Sequence, residues 1–161
     1  MAKGRPLEPA AELLEAFQRS GEVNAFLVGI VPDHIWREEP PGGGRTIAAI
    51  VAHMQSMRRT FARMAGARPG PASIDARRTT RDEAQAALRQ STDVLAALFE
   101  DAFREGRARV KGTPRRVVDT IAYLLQHDAH HRGQICMIAR MLGHQFTGRD
   151  MTWMWGWRKN A

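Results

Sequence analysis

An all-α fold, a bundle of four helices, is predicted for this chain of 161 residues. Four segments carry apolar residues at alternating steps of three and four, which is the period of a buried helix face. No stretch of any length alternates apolar and polar residues as a half-buried strand does. The length suits one domain with a single core, so residues 1–161 are interpreted as one four-helix domain.

Local signals place the ends of these helices. Thr80 and Glu83 form a capping box at the start of the third helix. Thr113 as N-cap and Pro114 at the first helical position open the fourth helix, and Gly143 follows its last apolar residue as a C-terminal cap. The predicted helices span, in chain order, residues 7–30, 46–64, 80–104 and 114–142.

A tryptophan-rich tail, residues 144–161, follows the fourth helix. It contains Met151, Trp153, Met154, Trp155 and Trp157. So many large apolar side chains favour burial, so the tail is expected to fold back on the bundle, or to cover a dimer surface or the mouth of a pocket.

The net charge is +7, and arginine supplies nearly all of the positive charge, since only residues 3, 111 and 159 are lysine. A basic balance is one feature of nucleic-acid-binding proteins. The arginines are nevertheless scattered, with a modest cluster between Arg104 and Arg116, and no recognition-helix or stacking-sheet pattern accompanies them. Nucleic-acid binding is therefore kept as a minor alternative.

Composition also bears on the compartment. The one cysteine, Cys136, excludes an internal disulfide and fits a reducing cytoplasm. No apolar run is long enough to span a membrane, and the first residues lack the apolar stretch of a signal peptide. The sequence predicts a cytoplasmic protein without a membrane partner.

The fourth helix carries polar residues in its apolar stripe. The stripe consists of Val117, Ile121, Leu124, Asp128, His131, Ile135, Ile138 and Leu142. Buried polar groups cost a few kcal/mol each unless they find partners, so Asp128 and His131 need an explanation.

Two histidines of this helix lie on one face. His127 and His131 are about 40° apart around the helix axis, whereas His130 points about 100° away from His131. Such a pair can grip one metal ion, but packed or surface histidines explain it equally well. On the second helix, His53 flanks the apolar stripe, where a hydrogen-bonded structural histidine is the simpler interpretation. Side chains of facing helices do build metal sites in bundles, so the three histidines could converge.

These motifs resemble the DinB-like (DinB/YfiT-like) metalloenzyme superfamily. The resemblance rests on Ala-His-Met around His53 and on the segment from His127 through His131 to Arg-Gly-Gln-Ile, with a weaker match at Asn24-Ala-Phe-Leu. It implies a long crossover between the second and third helices, a three-histidine divalent metal site and a homodimer. Carried over by position, the metal ligands are His53, His127 and His131.

Three imidazoles suit zinc, nickel, iron or copper, and histidine alone does not choose among them; zinc or nickel is expected first, and iron next. Three protein ligands leave open coordination positions, which is typical of catalytic sites. Relatives of this superfamily include S-transferases and isomerases that use bacillithiol, mycothiol or glutathione. The resemblance thus predicts a metal-dependent enzyme of thiol S-transferase or hydrolase type, working through metal-bound water or thiolate, with a low-molecular-weight thiol and a small-molecule substrate. The alternative is a metal-binding stress-response protein without turnover.

Three further residues are candidates for the surroundings of the metal or for substrate contact. Asp128 is expected either to accept a hydrogen bond from a ligand histidine or to form a salt bridge with an arginine of another helix. Gln134 is expected to contact substrate or bound water, and Arg132 to pair with a carboxylate. No Ser-His-Asp arrangement, phosphate loop or Cys-rich zinc pattern occurs, so no further catalytic side chain is assigned.

Overall fold

The computed structural model describes residues 6–155, which form six helices and no strand. This confirms the all-α class. None of these helices combines the length and the apolar character needed to cross a membrane. The helices, numbered in chain order, are α1 (Pro9–Ile30), α2 (Asp33–Trp36), α3 (Ile47–Met64), α4 (Arg81–Arg104), α5 (Val117–Met141) and α6 (Gly148–Met154).

The predicted start of the fourth long helix is wrong by three residues. Arg116, not Thr113, is the N-cap of α5. The Thr113 hydroxyl instead donates to the carbonyl of Val110 at 2.8 Å, which closes a tight turn before the helix. A Cβ at Gly112 would lie 2.0 Å from the Met64 carbonyl oxygen. The turn is therefore pressed against the end of α3, and this packing delays the helix. By contrast, the capping box at the start of α4 is confirmed.

Two short helices lie outside the four predicted long ones. α2 lies in the connection between the first and second predicted helices, and it buries Trp36, whose indole N–H donates to the Thr79 carbonyl at 3.3 Å. The tail forms α6, which packs on α1 and stacks Trp153 on Phe26 with ring centroids 5.0 Å apart. The tail thus folds back on α1 as expected, but Met151 and Trp155 stay 39% and 66% exposed, and Trp157 lies outside the described residues.

The four long helices share one interior, since α1 and α3 each pack against both α4 and α5. One core cluster joins the C-terminal halves of α1 and α5 to the N-terminal halves of α3 and α4. Its members include Leu27, Ile50, Leu88 and Ile135. A second cluster joins the opposite halves of the same helices. Its members include Phe17, Phe61, Phe99 and Ile121. Consequently α3 and α4 run parallel and both begin at the end of the first cluster.

A parallel pair requires the connection between α3 and α4 to return along their length. Residues 65–80 provide it without regular structure. The buried side chain of Gln55 donates to the carbonyls of Ala72 and Ala87 at 2.6 and 3.1 Å, and Arg59 donates to the carbonyl of Pro71 at 3.0 Å. Side chains of α3 therefore replace the backbone hydrogen bonds that an irregular segment lacks.

A buried ion pair lies at the centre of the interior. Arg58 of α3 donates to Asp128 Oδ2 of α5 at 2.5 Å, and both side chains are fully buried. Thr92 of α4 accepts a second Arg58 hydrogen bond at 2.9 Å, and Asn24 of α1 donates to the same Asp128 oxygen at 2.8 Å. Burial acts to raise the pKa of Asp128, but Arg58 and the hydrogen-bond donors outweigh it, so the pKa lies below its ordinary value. Asp128 is thus a charged carboxylate to which all four long helices are linked.

Glycine permits the close contact between α1 and α4. A Cβ at Gly21 would lie 2.4 Å from the side chain of Thr92. Thr92 cannot turn away cheaply, because its hydroxyl accepts from Arg58 and donates to the Leu88 carbonyl.

We expect Gly21→Ala to lower the free energy of unfolding by about 1–3 kcal/mol, because the added methyl group overpacks this contact. Gly133→Ala is the matched control within a helix, since its Cβ would meet nothing within 4 Å. That variant should be more stable than the parent by about 0.5–1 kcal/mol. Urea denaturation measures both, and equal effects of the two substitutions would contradict the packing argument.

We expect Arg58→Met to lower the free energy of unfolding by about 3–5 kcal/mol, because it leaves the buried Asp128 carboxylate without its cation. The double variant Arg58→Met/Asp128→Leu should recover much of this loss, since it removes both charges. Thermal and urea unfolding of the two variants provide the comparison. A double variant less stable than Arg58→Met alone would show that the charges are not coupled in this way.

Candidate metal centre

Three histidines from two facing helices meet beside the interior. His53 lies on α3, and His127 and His131 lie one turn apart on α5. The Nε2 atom of His127 is 3.2 Å from that of His53 and 3.1 Å from that of His131. One ring nitrogen from each residue lies within 4.8 Å of the others, and this is the one such group of three possible ligand residues between residues 6 and 155.

Burial favours the neutral form of two of these imidazoles, His53 and His131. His131 is 5% exposed, and His53 and His127 are partly buried. Burial is the main cause that lowers the pKa of His53, with smaller contributions from His127 and Arg45. Burial likewise lowers the pKa of His131, although a hydrogen bond to Gln134 acts in the opposite direction. Neutral imidazole is the form that binds metals.

Gln134 holds His131 in position. Its Oε1 lies 2.7 Å from His131 Nδ1. An amide oxygen accepts but cannot donate, so the proton of His131 lies on Nδ1, and the lone pair of Nε2 points toward the other two histidines. The sequence predicted that Gln134 contacts substrate or water; in the structure its amide oxygen contacts His131, a position that outer-shell acceptors occupy in metal sites.

Asp128 fills one of the two roles that the sequence left open, the salt bridge to an arginine of another helix. Its Oδ2 atom makes the salt bridge to Arg58. Its Oδ1 atom lies 4.0 Å from His127 Nδ1, and neither of these buried atoms has a hydrogen-bond partner among the described residues. The separation is too long for a hydrogen bond, so Asp128 lies beside His127 without bonding to it.

Arg132 differs from its prediction. It donates to Asn24 Oδ1 at 2.8 Å and to Ser20 Oγ at 3.1 Å, so its hydrogen bonds go to an amide and a hydroxyl of α1 and not to a carboxylate. The amide nitrogen of Asn24 donates a hydrogen bond to Asp128. Arg132 and the Asp128 carboxylate are therefore linked through Asn24, and this indirect link takes the place of a direct ion pair.

The remaining candidates lie outside this group. His130 is exposed, with its ring centroid 5.1 Å from that of His131. Cys136 packs against Met154 with 3.7 Å between the sulfur atoms, and burial raises the pKa of its thiol. A thiol with a raised pKa is a poor metal ligand, which agrees with its exclusion from the site.

Sequence reasoning missed Arg58. It lies on the buried stripe of α3 between Met54 and Phe61, at the spacing of one helix face. Asp128 occupies the equivalent stripe of α5. An arginine on one apolar stripe and an aspartate on another indicate complementary buried charges. The sequence contained this signal.

The basic cluster between residues 104 and 116 is largely engaged within the chain. Arg104 pairs with Asp101, and Arg107 pairs with Glu105. Arg109 donates to the Pro114 carbonyl, and the guanidinium of Arg115 lies over the ring of Tyr123, 4.9 Å from its centroid. These contacts give the cluster a structural use that needs no nucleic acid.

The three ring nitrogens match the donor set of a transition metal. Two nitrogens bound to one tetrahedral zinc ion at about 2.0–2.1 Å lie roughly 3.3 Å apart, close to the 3.1 and 3.2 Å observed here. Without a cation, a proton on one Nε2 atom can form a hydrogen bond to only one of the other two Nε2 atoms. The remaining Nε2 lone pairs would then lie close together. The residues present therefore fit a metal ion and could hold one.

Comparison with known proteins agrees with this arrangement. No curated protein is significantly similar to the chain. The family model of the DinB superfamily, however, matches residues 11–135, a stretch that covers most of the chain and contains all three histidines. The helical fold and this match together show that the chain belongs to the DinB superfamily.

Proposed function

We propose that this protein is a metal-dependent enzyme of thiol S-transferase or hydrolase type, with His53, His127 and His131 as ligands of one divalent transition metal. The observation that carries the proposal is the convergence of three imidazoles, with Nε2 separations of 3.1 and 3.2 Å. A structural role could be met by one hydrogen bond between two of the rings and would not require one ring nitrogen from each of the three residues to converge.

The donor set suits zinc, nickel, iron or copper and does not choose among them; zinc or nickel is proposed first, and iron second. When bound, such an ion supplies Lewis acidity, which lowers the pKa of a water or thiol at an open coordination position. Three ligands leave such positions open, which supports a catalytic site over a closed structural one.

The residues of the chain have separate tasks in this proposal. His53 comes from a different helix than the other two ligands, so the site is complete only when α3 and α5 are docked. Gln134 keeps the proton of His131 on Nδ1. Asp128 presents a carboxylate oxygen to the Nδ1 side of His127. A cytoplasmic homodimer acting on a small molecule remains a prediction from the sequence and the resemblance.

Elemental analysis of untagged protein should find about one zinc, nickel or iron ion per chain, because the three imidazoles form one site. His127→Ala should lose this metal, since His127 Nε2 is the atom within 3.2 Å of both other rings. His130→Ala is the matched control on the same helix and should keep it. Retention of metal by His127→Ala at the parent level would disprove the ligand assignment.

The metal-loaded protein should conjugate a low-molecular-weight thiol to an electrophile, or hydrolyse an ester or amide, with saturation kinetics. Because the metal activates the nucleophile, turnover by His131→Ala should fall to the level of the metal-free protein. A panel of thiols and electrophiles, followed by loss of free thiol, provides the measurement. Full metal occupancy without turnover across the panel would favour a non-catalytic metal-binding protein.

A further inference from the structure

A pocket of about 340 Å³ opens beside the three histidines. This volume lies in the range of small-molecule sites. It is formed between α5 and the segment that precedes and begins α3. Its lining includes Arg45, Ile50, Gln134, Met137, Ile138 and Met141.

Gln134 connects this pocket to the candidate metal centre. Its Oε1 accepts from His131, while the residue also lines the pocket. With its oxygen occupied, the amide group of Gln134 has N–H donors left to offer. A ligand that fills the pocket therefore meets a hydrogen-bond donor next to a metal-ligand candidate.

Arg45 adds an unpaired positive charge to the wall. It stands directly before Thr46, the N-cap of α3, and its side chain forms no ion pair with any carboxylate in the described part of the chain. An arginine fork matches a carboxylate with two parallel hydrogen bonds.

The other walls are apolar. Ile50 and Ile138 are buried side chains of α3 and α5, whereas Met137 and Met141 are 58% and 47% exposed. Two exposed methionines one turn apart offer a flexible apolar surface that adapts to a chain. The pocket thus has a cationic part at Arg45 and an apolar part along α5.

We infer that this pocket binds a small carboxylate with an apolar chain, whose carboxylate pairs with Arg45 while the chain packs against Met137 and Met141. The substrate class of the enzyme is then an amphipathic monoanion, a statement that rests on the function proposed above. The pocket itself is built by protein side chains, so binding of the anion does not require the metal.

The test uses hexanoate and its uncharged analogue hexanamide with the full chain, chelator-treated and labelled with ¹³C at the methionine methyl groups. Hexanoate should shift the methyl signals of Met137 and Met141, and it should bind about tenfold more tightly than hexanamide, as expected for a charge-assisted hydrogen bond. Arg45→Gln should abolish this preference, whereas Arg45→Lys should retain part of it. Arg77→Gln removes an exposed arginine of the 65–80 connection and should leave it unchanged.

The inference is overturned if hexanoate and hexanamide bind equally, if neither shifts Met137 and Met141, or if Arg45→Gln matches the parent. Metal content measured on the same preparations before chelation separates this result from the proposed function. Metal without hexanoate binding would leave the three-histidine proposal standing and remove the anion pocket. Hexanoate binding by a protein that contains no metal would support the anion pocket and remove the three-histidine proposal.

Discussion

The buried ion pair between Arg58 and Asp128 constrains how the long helices of this protein pack. Two charges without solvent access are tolerated only if each finds partners, because an unpaired buried charge costs several kcal/mol. Here the partners come from every long helix, with Asn24 on α1, Thr92 on α4 and the pair itself on α3 and α5. A packing in which any one helix slid by a turn would leave a charge or an amide unsatisfied. The pair thus favours one packing over its alternatives, whatever it adds to net stability.

This constraint extends to the histidines. Asp128 lies between His127 and His131 in the chain, so the contact with Arg58 sets how α5 is rotated and how far it is shifted along α3. On α3, Arg58 lies five residues, about 7.5 Å along the axis, beyond His53. Since α3 and α5 run in opposite directions, the alignment that brings Arg58 to Asp128 also brings His53 to the histidine pair. Core packing and the candidate site are therefore two consequences of the same alignment of helices.

The elements of the fold were predictable from the sequence, because caps and helical periodicity are local. The capping box of Thr80 and Glu83 is where the sequence placed it, and the stripe of α5 is buried from Val117 to Ile138. Predictions that depended on side-chain partners across helices were less successful. Thr113 had a local alternative for its hydroxyl, and Arg132 reached an amide of α1. The histidine group itself was predictable only with the resemblance, since one helix supplies just two of its members.

Arg58 shows why burial is hard to predict for a single residue. The position of Arg58 on the apolar stripe of α3 could be recognised in the sequence. An arginine at such a position is interpreted as lying at the edge of the buried helix face unless its partner is known. Asp128 supplied that partner seventy positions later, beyond the range of any local pattern.

The separation of His53 from His127 along the chain has a consequence for folding. The two rings meet across 74 residues, so an ion held by both would close a loop of that length, as a disulfide does in proteins with paired cysteines. With its single cysteine, this chain cannot make such an internal covalent link. Because the unfolded chain does not bring α3 and α5 together, the ion would bind almost entirely to the folded state, and its concentration would set the folding equilibrium. The same three side chains would then act as a reversible cross-link, whose strength follows the metal supply of the cell.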